Sequence, residues 1–177
     1  MNIFLRLSLL TIVLVIASSA VLFFFTDSQV KKTLESEITS NITQQSQQSL
    51  ENIQRFIFSR LNDVRMTAKN PYFRITDISR AELTNRLLEL EELNNLYNNF
   101  SFYNMDRVRL ADSRQESIGE QHSESSYWLK LKEDEAAMDI AISESTQEPV
   151  MHFASKVRDF YTNEPIGVIV GTIKVDE

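Results

Sequence analysis

His122 and His152 are the only histidines in the chain, and they stand thirty residues apart. That is not the close spacing by which a helix or turn presents two imidazoles to one metal ion. A lone strand histidine such as His152 more often supports structure or lines a pocket. The acidic run at 133–135 lacks the Asp/Asn alternation and the glycine of a calcium loop, and reads as a solvated helix end. There is no cysteine, which removes disulfides, thiolate metal sites and a cysteine nucleophile. No phosphate loop, G-x-S-x-G elbow or dinucleotide fingerprint occurs, and no serine is paired by pattern with a base. The sequons that begin at Asn41 and Asn99 read as chance matches. Neither catalysis, a metal nor a cofactor is expected, so the chemistry to look for is binding.

Residues 7–25, LSLLTIVLVIASSAVLFFF, carry no charge. At about 1.5 Å per residue the run reaches roughly 28 Å, enough for a bilayer core. The alternative is a cleaved leader with ASSA, residues 17–20, as its processing site, but the apolar run continues past that point. Arg6 precedes the run, and Asp27, Lys31 and Lys32 follow it, a weak positive-inside signal. The reading is an uncleaved anchor over residues 1–26, with everything after Thr26 outside the inner or cell membrane. That exported part has 17 basic and 25 acidic side chains, a net charge of −8. Nucleic acid and anionic lipid are poor partners for it.

The elements that must position any binding residues follow. Residues 27–69 contain neither proline nor glycine. Val30, Leu34, Ile38 and Ile42, then Leu50, Ile53, Ile57, Leu61, Val64 and Ala68, form a narrow helical stripe. Over 28–49 the stripe is thin and reads as a stalk or a weak dimer seam. Over 50–68, where Phe56 and Phe58 widen it, it reads as a face packed on its own domain. Asn70-Pro71 ends the helix. Ser79 with Glu82 has capping-box spacing and opens a helix over about 80–97, with Leu83, Leu87, Leu88, Leu90, Leu93 and Leu96 as its buried face. Phe100, Phe102, Val108 and Leu110 then alternate with Ser101, Tyr103, Arg109 and Ala111 around a turn at 104–107, a β-hairpin. A loop at 113–123 leads to a short helix capped by Ser125 or Ser126, with Tyr127, Trp128 and Leu131 on one face. Strands follow from Met138, from Glu148 and over 166–175, the last pairing with its predecessor to close the sheet. Gly167 and Gly171 share a face of that strand, which marks a bulge, a close approach, or relief of crowding against a packed helix. Helices followed by about five antiparallel strands make an α+β arrangement.

An anchor, a long exported helix, a capped second helix and a sheet ending in IGVIVGTIKV together resemble the extracytoplasmic Cache sensor domain, and more narrowly the membrane-distal half of a double Cache domain. The likeness covers roughly residues 7–177. It rests on the order of elements, on YWLK at 127–130, and on the paired strands PVMHFASKV and IGVIVGTIKV. It implies a PAS-like module over 70–177 behind a stalk at 27–69. It also implies that the chain stops before a membrane-proximal module, a second membrane helix and a cytoplasmic output domain. A stalk longer than one small domain needs points the same way.

Bacterial histidine kinases, chemoreceptors and diguanylate cyclases carry such domains, so the resemblance implies a small-molecule sensor that signals through the stalk helix. The alternative is a membrane-anchored envelope interaction or scaffolding protein without a pocket. Amino-acid-binding members have an arginine two residues before the helix tryptophan, an aromatic just after it and an aspartate on the last strand. Here those positions hold Ser126, Leu129 and Thr172, so the carboxylate clamp and the ammonium counter-charge are both missing. The residues left near the expected cavity are Tyr103, Tyr127, Trp128, His152, Phe153 and Thr172, with Arg109 and Lys130 as cations at its edge. Such walls suit a small organic molecule, carboxylates included, rather than an α-amino acid. Set against this, Trp128 and Phe153 can equally be plain core.

Overall fold

The computed structural model describes residues 3–143 and 147–175, without the side chains of residues 4–9 and 28. The side chains of 7–9, at the start of the expected membrane span, lie outside the described residues. The chain divides into two units, Met1–Gln54 and Arg55–Glu177. Helix α1, Ile3–Ala68, runs through the first and into the second.

Among the described residues of the first unit, α1 is the only element. It is long and apolar enough to cross a membrane, and none of its most apolar stretch is buried. Val30, Leu34, Ile38, Ile42, Leu50 and Ile53 are all at least half exposed within the chain.

In the second unit, α1 stops where the sequence demands. Asn70 is extended (φ −63°, ψ 127°), as a residue before proline must be, and its side chain accepts from Tyr72 N at 3.1 Å. A 3-10 turn, Pro71–Phe73, leads to α2, Arg80–Leu93, whose N-cap Ser79 accepts from Glu82 N at 3.2 Å. This helix is shorter than its leucine pattern predicts. Asn94 takes the C-cap position with a non-helical backbone, so Leu96 is never part of the helix. Only Leu83 and Leu87 are buried, Leu90 is partly covered, and Leu88, Leu93 and Leu96 are exposed. The packed face of α1 is likewise narrower than expected: Ile57, Leu61, Val64 and Ala68 join the core, while Phe58 remains 68% exposed.

Five strands follow: β1 Asn99–Tyr103, β2 Arg109–Asp112, β3 Ala136–Ile142, β4 Pro149–Arg158 and β5 Pro165–Lys174, with α3, Ser126–Lys130, between β2 and β3. The sheet is antiparallel throughout, in the order β2-β1-β5-β4-β3. The last strand does pair with β4, but it does not close the sheet. It occupies the centre, hydrogen-bonded to β1 on its other side. A central strand covered on both faces cannot show polar alternation, which is why residues 166–173 read as an almost unbroken apolar run.

One face carries Phe100, Phe102, Phe153, Val157 and Ile169, packed on α1, α2 and Phe73. Burying each such side chain contributes roughly 1.5–3 kcal/mol. The other face carries Tyr103, Ala154, Val168 and Val170, packed on Tyr127, Trp128 and Leu131 of the α3 segment. The two strand glycines mark close approach of aromatic rings rather than of a helix. A Cβ at Gly171 would lie 2.6 Å from the Tyr97 ring, and one at Gly167 would lie 2.5 Å from the carbonyl oxygen of Tyr103 and 2.7 Å from the Phe102 ring.

Candidate functional site

The α3 face of the sheet is covered by the loop that joins β2 to α3, and this loop is stitched down by main-chain bonds. Arg109 N donates to Glu120 O at 3.0 Å, Gly119 N to Arg109 O at 2.8 Å, and His122 N to Arg107 O at 2.8 Å, with a bridge between Val108 and Gln121. Gly119 supplies the left-handed conformation (φ 89°) that lets the loop return. At its start the loop is tied to α2, where Glu91 accepts from Ser113 Oγ and from Arg114 Nε, the latter at 3.2 Å.

Between loop and sheet lies a cavity of about 290 Å³. The sheet contributes Tyr103, His152, Thr172 and Lys174 to its walls, and the loop contributes Arg114, Glu116, Glu120, His122 and Ser125. Arg109 lies across one side. Its Nε donates to the Tyr103 hydroxyl at 3.0 Å, and its Nη1 donates to Glu116 O at 3.1 Å and to Asp112 Oδ2 at 3.3 Å. Asp112 is fully buried and also accepts from Ser101 Oγ at 2.6 Å and Asn99 Nδ2 at 3.1 Å. Arg114 and Lys174 are paired outward, with Glu91 and Glu148.

His152 is neutral at physiological pH. Burial pushes its pKa down to about 4, the neighbouring His122 and Arg109 push the same way, and Asp139 opposes them. Tyr127 is completely buried, its ring 5.5 Å from that of His152 and 6.1 Å from that of His122. Burial raises its hydroxyl pKa, so it stays a donor. Among the described residues, His152 Nδ1, the Tyr127 hydroxyl, Ser125 Oγ and Trp128 Nε1 are buried polar atoms with no hydrogen-bond partner. An unmet buried polar group costs about 1–3 kcal/mol, and four of them cluster on this side of the sheet.

Of the residues singled out from sequence, Tyr103, Arg109, His152 and Thr172 line this cavity. Tyr127 stands behind its wall between the two imidazoles. Trp128 lines a different hollow, on the far side of Tyr103. Lys130 is spent on the Met138 carbonyl, to which its Nζ donates at 3.0 Å. Phe153 is on the opposite face, fully buried, with its ring 6.4 Å from that of Phe56. The inversion follows from strand period: His152 and Phe153 are successive, so only one of them can face the loop. The same period would have found Lys174, two residues beyond Thr172. Ser125 lies at the N-cap of α3 without making a capping bond. Ser126 and Leu129 are exposed on α3 and line neither hollow.

No protein-family profile and no curated protein matches this chain. Solved structures do share its fold. The E. coli DcuS sensor domain is 17% identical with a TM-score of 0.51, over 66% of this chain and 90% of that one. The ligand-binding domain of the Pseudomonas aeruginosa PAO1 amino acid chemoreceptor PctC, solved in complex with GABA, is 16% identical with a TM-score of 0.56, over 71% of this chain and 56% of that one. Methyl-accepting chemotaxis protein X is 13% identical with a TM-score of 0.61, over 80% of this chain and 64% of that one. The chain thus spans nearly all of the first domain but only 56% and 64% of the other two. Its fold is the one these sensor and ligand-binding domains share, an α+β arrangement with a long N-terminal helix and a five-stranded antiparallel sheet, as the Cache likeness read from the sequence implies.

Proposed function

We propose that residues 70–177 are an extracytoplasmic small-molecule sensor module behind the stalk at 27–69, anchored by the apolar segment of α1 and signalling through that helix. The observation that carries this reading is the pair of unpartnered polar atoms, Ser125 Oγ and His152 Nδ1, on residues lining a cavity that Arg109 and Thr172 also line. A ligand with oxygen acceptors, a carboxylate included, satisfies the Ser125 hydroxyl and gains charge-assisted contact with Arg109. Thr172 supplies no counter-charge for an ammonium group, which argues against an α-amino acid. Support for the sensor class comes from the shared fold, since the structures it resembles are a sensor domain, the ligand-binding domain of a chemoreceptor and a methyl-accepting chemotaxis protein. On this reading the chain is the sensor part of a membrane receptor of the histidine kinase, chemoreceptor or diguanylate cyclase type, and the assembly is a weak homodimer along the stalk.

A thermal-shift screen of the full chain in detergent tests the proposal. Stabilisation by a small carboxylate, lost in Arg109→Gln and His152→Gln with the fold retained, is the expected result. Stabilisation by α-amino acids instead overturns the ligand class. Failure of every small molecule, together with tight capture of an envelope protein, overturns the sensor reading.

A further inference from the structure

The far side of Tyr103 holds a second hollow, of roughly 360 Å³. The rings of Tyr103 and Trp128 meet edge to face, 6.0 Å apart, and Tyr103 lines the loop cavity while Trp128 lines this one. Of the described residues only Gln121 belongs to both walls. The floor is apolar: Val168, Leu131 and Trp128, each less than a tenth exposed. Above it stand three cations, Arg107, Lys132 and Lys156.

Their pairing is unequal. Glu124 takes both Lys132, at 3.0 Å, and Arg107, at 3.4 Å, and the hydrogen bond from Lys132 holds its carboxyl below the ordinary range. Asp106 is exposed at the rim. Lys156 makes no ion pair or side-chain hydrogen bond among the described residues. Glu135, which it feels electrostatically, is held by Arg158 Nε at 3.1 Å. The hollow therefore joins a flat aromatic and aliphatic floor to an uncommitted ammonium group. An apolar floor beneath a charged rim is the combination that an amphipathic anion needs, the floor for its apolar body and the ammonium to set its orientation.

We propose that this hollow is a second ligand site that takes an amphipathic monocarboxylate, its aryl or branched alkyl group lying on Trp128 and Leu131 and its carboxylate on Lys156. Among the described residues the two hollows have only Gln121 in common, so the proposal stands whether or not the loop cavity binds anything.

Trp128 is the only tryptophan in the chain, so its emission reports on this hollow directly. Benzoate is titrated against the full chain in detergent at neutral pH, with benzyl alcohol as the uncharged counterpart. Benzoate should change the emission saturably and benzyl alcohol should not. Lys156→Met should weaken the apparent Kd by about tenfold or more, and Lys156→Arg should keep it. Thr172→Val, in the other cavity, should leave it unmoved. If Lys156→Met does not fold by circular dichroism, Lys156→Gln replaces it. Absence of a saturable change, equal responses to both probes, or a response indifferent to Lys156 overturns the proposal. A response indifferent to Lys156 but abolished by Thr172→Val places benzoate under the loop instead.

Discussion

The guanidinium of Arg109 lies 3.3 Å from the carboxylate of Asp112, and the acid has no exposed surface while the arginine side chain keeps 17% of its own. One partner is thus sealed beneath the sheet edge and the other reaches the cavity. The buried partner holds the exposed one in place.

Asp112→Ala should therefore do more than remove a charge. It leaves Ser101 and Asn99 without their acceptor and Arg109 without its counter-ion, and breaking a buried pair in this way costs about 3–5 kcal/mol. Asp112→Asn keeps an acceptor for Ser101 and should cost less. Thermal denaturation of both variants checks the order. Equal, small losses would show that the pair does not organise this region.

The strand glycines differ in what surrounds them. Gly171→Ala presses on the rings of Tyr97 and Phe100, which can yield, at a cost of about 1–3 kcal/mol. Gly167→Ala also meets the main-chain oxygen of Tyr103, which cannot turn aside. Gly167→Ala should be the more damaging of the two by denaturant titration, and a neutral result there would contradict the close approach.

Acid sensitivity should be traceable to His152. Its folded pKa of about 4 is below the ordinary 6.5, so the unfolded chain binds the extra proton between those values. The stabilising difference is fully present above pH 6.5, falls as pH drops toward 4, and levels off below that. The slope is at most ~1.4 kcal/mol per pH unit. Comparing Tm between pH 7.5 and 4 for the native chain and for His152→Gln isolates this part, because the carboxylates contribute to both. Parallel curves would mean that His152 titrates as it does in water.

Along the stalk, Val30, Leu34, Ile38 and Ile42 are between 50% and 59% exposed within one chain. On the proposed reading a second copy buries the stripe along its whole length. Since the chain has no cysteine, Leu34→Cys and Ile38→Cys are clean reporters. Disulfide cross-linking in membranes should be efficient at both and poor at the polar positions between them. Cross-linking at none of the stalk positions would leave the dimer without support.

Much of the fold was legible because its signals are local. The proline after Asn70, the Ser79 cap, the turn at 104–107 and the change of period at Phe100 act within a few residues of themselves, and the elements fall where these signals place them. The leucines of α2 misled because helical spacing records a face but not how much of it a neighbour covers. Leu93, at 81% exposed, has the right period and no partner.

What the sequence by itself determined is the apolar membrane-length segment, the helical run that continues from it to Ala68, the capped helix after Ser79, and the succession of five strands, since each depends on residues adjacent in the chain. Only the tertiary structure decided that β5 lies at the centre of the sheet, that His152 rather than Phe153 faces the loop, and that Trp128 belongs to a different hollow from Thr172. Those outcomes depend on strand order and register between segments as distant as Asn99 and Thr172. Pairing at that range is set by which faces of the whole sheet can be covered at once, and no short stretch of residues carries that information.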